Sequence, residues 1–186
     1  MNILLRALER VASILDEIDA RWVLAGSTAS YLNGLKITPK DIDILTDHLS
    51  AYRIGNAFES RNFLIERRIN YSETESYASH YGVFYLEDVR IEVIGDLIIK
   101  YKGFLIKVDL DELLSYSIEK QVRSKVILLV PLEWQLVMNA LIPNKEERLE
   151  MIANYLKKVG YNNEILTFFL RKMPEEIKEK INELMR

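Results

Sequence analysis

Cysteine is absent from all 186 residues, so the chain has no disulfide framework, no thiolate metal cluster and no thiol nucleophile. Histidine is nearly absent: His48 and His80 are isolated, in loops or near helix starts, which gives little support to metal ligation or acid-base work. Long apolar runs are missing too. The longest, around Val126–Pro131, is far too short to span a bilayer. The opening MNILLRALERVASIL sets Arg6, Glu9 and Arg10 at helical spacing among apolar residues, the pattern of an amphipathic helix and not of a signal sequence. Nor is there a strong charge of either sign. A net charge of −3 does not fit a protein whose main work is to grip duplex nucleic acid, although a transiently held nucleic-acid substrate stays compatible with it. The expectation is a cytoplasmic globular protein with no membrane association. Apolar residues at 49% and charged residues at 28% suit a folded domain, and the length suits one domain or one domain with a small helical appendage.

What is present divides into three textures. Leu4, Leu5, Leu8, Val11, Ala12, Leu15 and Ile18 recur at helical spacing, so the chain opens on a packing helix. Trp22-Val23-Leu24-Ala25 reads as a buried strand stopped by Gly26. Ser27 to Leu32 reads as a short helix ending at Asn33-Gly34. Asp41 to Leu45 alternates polar and apolar as a half-exposed strand does, and Asp47 is placed to cap a helix from about Leu49 to Arg61. From Asn62 to Val108 the chain is rich in β-branched and aromatic residues. Strands are predicted at Phe63–Ile65, Gly82–Leu86, Val89–Ile94 and Phe104–Val108, with hairpin turns at Glu87-Asp88 and Lys102-Gly103. Helical spacing returns in LDELLSYSIEKQ. A short strand follows at Lys125–Val130, then helices at about Leu132–Ala140, Lys145–Val159, Asn163–Lys172 and Pro174–Met185.

Chemistry concentrates in few residues. Asp41 and Asp43 lie two apart on a strand, so both carboxylates leave one face while Ile42 and Ile44 enter the core. Two such carboxylates can share magnesium, which takes one or two protein carboxylates and completes its octahedron with phosphate oxygens and water. The plain alternative is a solvated edge face. Gly26 can take backbone angles closed to other residues and so let the main chain approach a phosphate, with the Ser27 hydroxyl beside it. An ordinary strand-to-helix turn with a serine N-cap is the alternative there. Glu92, between Ile91 and Val93, is a candidate third carboxylate, or else a surface residue paired with Arg90 or Lys107. Asp96 is its rival, although Gly95 marks that strand as ended. A separation beyond about 8 Å between Glu92 and both aspartates would exclude a shared metal pair.

WVLAGSTASYLNGLKITPKDIDIL, followed by VRIEVI, resembles the nucleotidyltransferase fold of DNA polymerase β-like enzymes. The resemblance is closest to small archaeal and bacterial members of antitoxin-type or AbiEii-like kind, in which Gly-Ser opens a helix, Asp-x-Asp follows and a later strand supplies a third carboxylate. VILLVPLEWQLVMNALIPNKEERLEMI resembles the family's proline-initiated helix with a Lys-Asp-like pair, here Lys145-Glu146. The implied fold is α+β with an α/β-like character: a mixed β-sheet flanked by helices, with a core domain over 1–125 and a helical C-terminal region over 126–186 packed on it.

The implied activity is transfer of a nucleoside monophosphate from a nucleoside triphosphate, with one or two magnesium ions, to a hydroxyl of RNA, protein or a small molecule. Asp41, Asp43 and Glu92 would be catalytic and hold the metal; Gly26, Ser27, Lys36 and Lys40 would hold the nucleotide. Lys36 stands where many relatives have arginine and Asn139 where many have lysine, so Lys36, Lys40 or Lys145 would have to balance the triphosphate's charge. The alternative is a catalytically degenerate nucleotide-binding module, or a toxin–antitoxin partner. A homodimer also fits. Tyr71, Tyr77, Tyr81 and Tyr85 have rings that could stack on a base or an acceptor, but are expected to pack against the sheet; Arg67 and Arg68 could meet an anionic acceptor such as RNA, although adjacent strand residues point to opposite faces.

Overall fold

A computed structural model of the chain describes residues 2–186. The elements run α1 (Asn2–Glu17), β1 (Trp22–Ala25), α2 (Gly26–Leu32), β2 (Asp41–Thr46), α3 (His48–Ser60), β3 (Leu64–Glu73), β4 (Tyr77–Leu86), β5 (Val89–Tyr101) and β6 (Phe104–Lys107). They continue with α4 (Leu110–Ser115), β7 (Ile118–Val122), β8 (Lys125–Leu129), α5 (Leu132–Leu141), α6 (Glu146–Val159), α7 (Asn163–Leu170) and α8 (Glu175–Met185). The strands form one mixed sheet in the order β3-β4-β5-β2-β1-β8-β7, with β6 added to the far part of β5. The expected mixed sheet with flanking helices and a helical C-terminal region is the fold found.

Burial follows the sequence pattern. Leu8, Val11 and Leu15 on α1 are fully buried, and the helix packs on β8, β2 and β5. Each such side chain contributes roughly 1.5–3 kcal/mol by leaving water. β1 is central, antiparallel to β2 and parallel to β8, which explains why Val23, Leu24 and Ala25 are all apolar: strand neighbours and covering helices leave no face for solvent. Asp47 caps α3 as expected, its carboxylate accepting from the Ser50 amide at 2.7 Å. Phe58 of that helix stacks on Phe63 and meets Phe84 edge-on, with ring centroids 4.4 and 5.3 Å apart. Among the described residues no helix is long and apolar enough to cross a membrane.

Several expectations need correction. β5 does not end at Gly95. It runs on to Tyr101, bending at Asp96, whose φ of +50° is accommodated by a shift of register between Ala78 and His80 on β4, the signature of a β-bulge. Glycine stands at 95 because α3 crosses there: an added Cβ would lie 2.8 Å from Ala51 Cβ and 3.0 Å from the Asp47 carbonyl oxygen. Gly95→Val is therefore expected to destabilise the protein by about 1–3 kcal/mol through overpacking, read as a lower urea midpoint with an unchanged slope.

The helical spacing after Asp109 also breaks early. α4 stops at Ser115, and Ile118–Val122 is a strand paired only with β8, exposed at all but Val122. An edge strand with little burial carries no apolar alternation to reveal it. β8, from Lys125, pairs with β1, and the C-terminal helices begin at Leu132.

Candidate active site

Strand register assembles the site. β1 sets Ala25 opposite Asp43, and β2, parallel to β5, sets Asp43 opposite Glu92. Ala25, Asp43 and Glu92 therefore form one row across three adjacent strands, with Asp41 two residues away on the same face as Asp43. Ile42 and Ile44, on the other face, are fully buried. One carboxylate oxygen from each of Asp41, Asp43 and Glu92 lies within 4.8 Å of the others, well inside the limit for a shared metal centre.

Gly26 follows Ala25 directly and so falls beside Asp43. Its φ is +65°, and a Cβ built there would lie 1.7 Å from Asp43 Oδ2, so a side chain is excluded by the backbone angle and by the carboxylate alike. Ser27 does not act as an N-cap. The cap position is Ala25, with no side-chain bond, whereas the Ser27 hydroxyl donates to Asp41 Oδ1 at 2.9 Å and accepts from the Lys40 amide at 3.2 Å. Thr28 adds a hydroxyl donated to the Asp41 carbonyl. The first turn of α2 thus fixes the start of β2 and the orientation of Asp41.

Glu92 satisfies both of its sequence readings at once: it belongs to the carboxylate group and forms an ion pair with Arg90, its neighbour two residues earlier on the same face. Asp96 is not its substitute, because its carboxylate pairs with His48 Nδ1 at 3.0 Å. The carboxylates also shape one another's titration. Burial, and secondly the Asp41 charge, push Asp43 up to about 7, with Arg90, Lys145 and Arg148 opposing the shift. Three convergent carboxylates of which one resists ionisation make a donor set suited to a hard divalent cation, which would relieve that repulsion.

The group opens into a cleft of about 650 Å³. Lys40 lines it, but Lys36 does not; Lys36 stands exposed on the loop, so the site does not gather every nucleotide-binding candidate. Instead α5 contributes one face, Trp134, Gln135, Met138 and Asn139, and the start of α6 contributes Arg148, with Lys145 at its N-cap. Asn139 is the one position of α5 outside its buried set, and its amide turns back to the Gln135 carbonyl at 2.6 Å. Gln135 is itself informative: its Oε1 lies 2.6 Å from the Ser30 hydroxyl, and its buried Nε2 has no partner in the protein. A polar atom left so in a cleft wall is met by water or by a bound polar group.

The opposite wall is β3 and β4. Tyr77 and Tyr81 line the cleft and are partly buried, Tyr77 packing against the core as expected; Tyr71 is exposed and Tyr85 bonds Glu66 at 2.6 Å. Arg67 lies over the Tyr81 ring, 5.2 Å from its centroid, while Arg68 faces away to Glu59 at 3.1 Å. Arg148, Gln135 and the two tyrosines are the lining residues that sequence reasoning missed or set aside. His48 and His80 do not line the cleft, and they are not isolated: their rings are 5.5 Å apart, with His80 inside strand β4.

A Gly-Ser turn, paired aspartates and a third carboxylate in register on a mixed sheet define a nucleotidyltransferase fold. Residues 7–123 match the sequence model of the aminoglycoside-2''-adenylyltransferase family, and the chain belongs to that family. Among solved structures it is similar to the nucleotidyltransferase TM1012 of Thermotoga maritima, with 26% identity, a TM-score of 0.65, and 83% of this chain and 92% of that one covered. Antibiotic-resistance factor ANT(2'')-Ia shares the fold at 9% identity, with a TM-score of 0.53 and coverage of 99% and 90%. Lincosamide antibiotic adenylyltransferase LnuA, solved with lincomycin bound, shares it at 14% identity, with a TM-score of 0.52 and coverage of 79% and 94%. A search of curated proteins finds no match.

Proposed function

We propose that the protein transfers a nucleoside monophosphate, adenylate in view of its family, from a magnesium-bound nucleoside triphosphate to a hydroxyl of a small molecule. The observation that carries this reading is the convergence of Asp41, Asp43 and Glu92 within 4.8 Å beside a glycine that leaves no room for a side chain. Magnesium held by these carboxylates would neutralise charge on the phosphates and orient the reacting oxygens.

The chain's own residues divide the remaining work. The backbone at Gly26, the Ser27 hydroxyl and the Lys40, Lys145 and Arg148 cations receive the triphosphate. The acceptor lies on the Glu92 side, where β4 and β3 continue the wall. Its hydroxyl oxygen forms a bond to the α-phosphorus in line with the departing oxygen. The bond from that phosphorus to the bridging oxygen breaks, pyrophosphate leaves, and Glu92 orients the hydroxyl and takes its proton. Such catalysis is positioning and charge neutralisation above all. The cleft volume suits a nucleotide with a compact acceptor.

The test is thermal unfolding of the full chain with a panel of nucleoside triphosphates, with and without magnesium. A rise in midpoint with ATP that requires magnesium is expected by mass action; no rise with any triphosphate would overturn the proposal. Within the same assay, Lys145→Ala and Arg148→Ala are expected to weaken magnesium–ATP binding about tenfold each, while Lys36→Ala leaves it unchanged.

A further inference from the structure

The charges of the cleft wall bear on the acceptor. Among the described residues, the carboxylates that line the cleft are Asp41, Asp43 and Glu92, and no others. All three belong to the metal-binding group. Nearby acids are turned elsewhere: Glu66 accepts from Tyr85, Glu73 from Lys100 and Tyr71, and Glu75 does not line the cleft. On the helical side, α6 begins with Glu146 and Glu147, yet the residues it offers the cleft are Arg148 and, just before the helix, Lys145.

Glu92 is paired with Arg90, and Lys40, Lys145 and Arg148 face the two aspartates and the place of the triphosphate. Arg67, which lies over the Tyr81 ring and has no carboxylate partner among the described residues, is thus a cation on the acceptor wall. Around Arg67 that wall is made of hydroxyl groups, from Ser72, Thr74 and Ser79, and of apolar or planar surface, from Tyr77, Tyr81 and Ile99. Aminoglycosides carry several ammonium groups, and an ammonium brought from water to a wall that holds an arginine and no free carboxylate loses hydration and gains repulsion.

We infer that the acceptor is a neutral or anionic hydroxyl compound with a planar or apolar face, and that the protein does not modify the polycationic aminoglycosides for which its family is named. This rests on the nucleotidyltransferase reading of the same cleft and deepens it. Tyr77 offers a face for a ring, Ser72 and Ser79 offer hydroxyls to polar substituents, and Arg67, lying over Tyr81, meets a negative group where the acceptor has one.

The experiment uses the full chain with magnesium and α,β-methylene-ATP, which binds as ATP does but cannot give up its nucleotide. Thermal midpoints are measured with and without added tobramycin, for the wild type and for Arg67→Glu and Arg67→Glu/Ser72→Glu, two positions on β3 outside its one buried residue. The analogue is expected to raise the midpoint of all three proteins, and tobramycin to raise it further only in the two variants. Alongside, label from α-phosphate-labelled ATP is followed into tobramycin and into neutral and anionic hydroxyl compounds, with transfer to tobramycin at least about a hundredfold slower than to the best of the others.

A tobramycin-dependent rise in the wild type, or labelled tobramycin at a comparable rate, overturns the inference and leaves the nucleotidyltransferase reading standing. Variants that bind the analogue yet gain nothing from tobramycin also overturn it, because missing carboxylates would then not be what excludes the polycation. Absence of any rise with magnesium and the analogue in the wild type overturns the underlying reading along with it.

Discussion

Replacing Asp41 and Asp43 by asparagine is expected to lower nucleotide transfer about a thousandfold or more and, in metal-free buffer at pH 8, to make the protein more stable than the wild type. The two effects share one cause. Asp43 titrates near 7 in the folded chain, against an ordinary value of 3.8, because burial and Asp41 penalise its charge. A carboxylate raised in this way holds its proton more tightly folded than unfolded, so between about pH 4 and pH 7 the folded state binds more protons and stability falls as pH rises. Below pH 4 both states are protonated and the penalty is absent; above 7 it is complete, about 4 kcal/mol for a shift of this size. Asparagine carries no charge and escapes it. For a chain of this length the difference is roughly 10 °C in midpoint. Equal midpoints for wild type and variant at pH 8 would show that Asp43 bears no such burden. Magnesium should restore the wild type at that pH and leave the variant unmoved, since a bound cation favours the ionised carboxylates.

Gly26→Ala should be the most damaging single methyl in the molecule. The backbone there has φ of +65°, which costs an alanine about 1–2 kcal/mol on its own. The methyl would also coincide with Asp43 Oδ2 at 1.7 Å, and because the backbone of that strand is paired on both sides the clash is relieved by turning the Asp43 carboxylate away. Transfer is expected to fall about a hundredfold or more as the carboxylate is displaced. Gly103→Ala, in the β5–β6 turn, separates the two contributions: φ is +85° there and nothing lies within 4 Å of the added atom. It should cost the backbone share of stability and leave transfer unchanged. Comparable activity in the two variants would mean that the space beside Asp43 is not what requires glycine.

The sequence made the centre of the site legible and left its walls obscure. Asp41, Asp43 and Glu92 could be read because alternation fixes which face a strand residue takes, and because Gly26-Ser27 gave the strands a neighbour. Tyr77 and Tyr81 were within reach by the same logic. The two-residue turn at Glu87-Asp88 pairs Leu86 with Val89, which sets Val83 opposite Glu92 and Tyr81 opposite Ile94, so those side chains share the carboxylates' face. Tyr77 was harder, since the bulge at Asp96 shifts the register before it. Arg148 and Gln135 were not legible: a helical residue's neighbours depend on how the helix docks, and α5 is apolar almost all round, so its pattern does not say which side meets the cleft. The strand β7 was lost for the opposite reason, having almost no burial to pattern it.

The unequal burial of the two walls bears on how such a protein changes over generations. The carboxylate row is locked into paired strands, and alterations there cost the chemical step. β3, by contrast, buries a single residue, Ile69, so positions such as 67 and 72 can be exchanged with little loss of stability. New acceptors can then be explored by drift along one outer ribbon while the chemical step is inherited intact, and the acceptor preference of any one member becomes a poor guide to that of its kin.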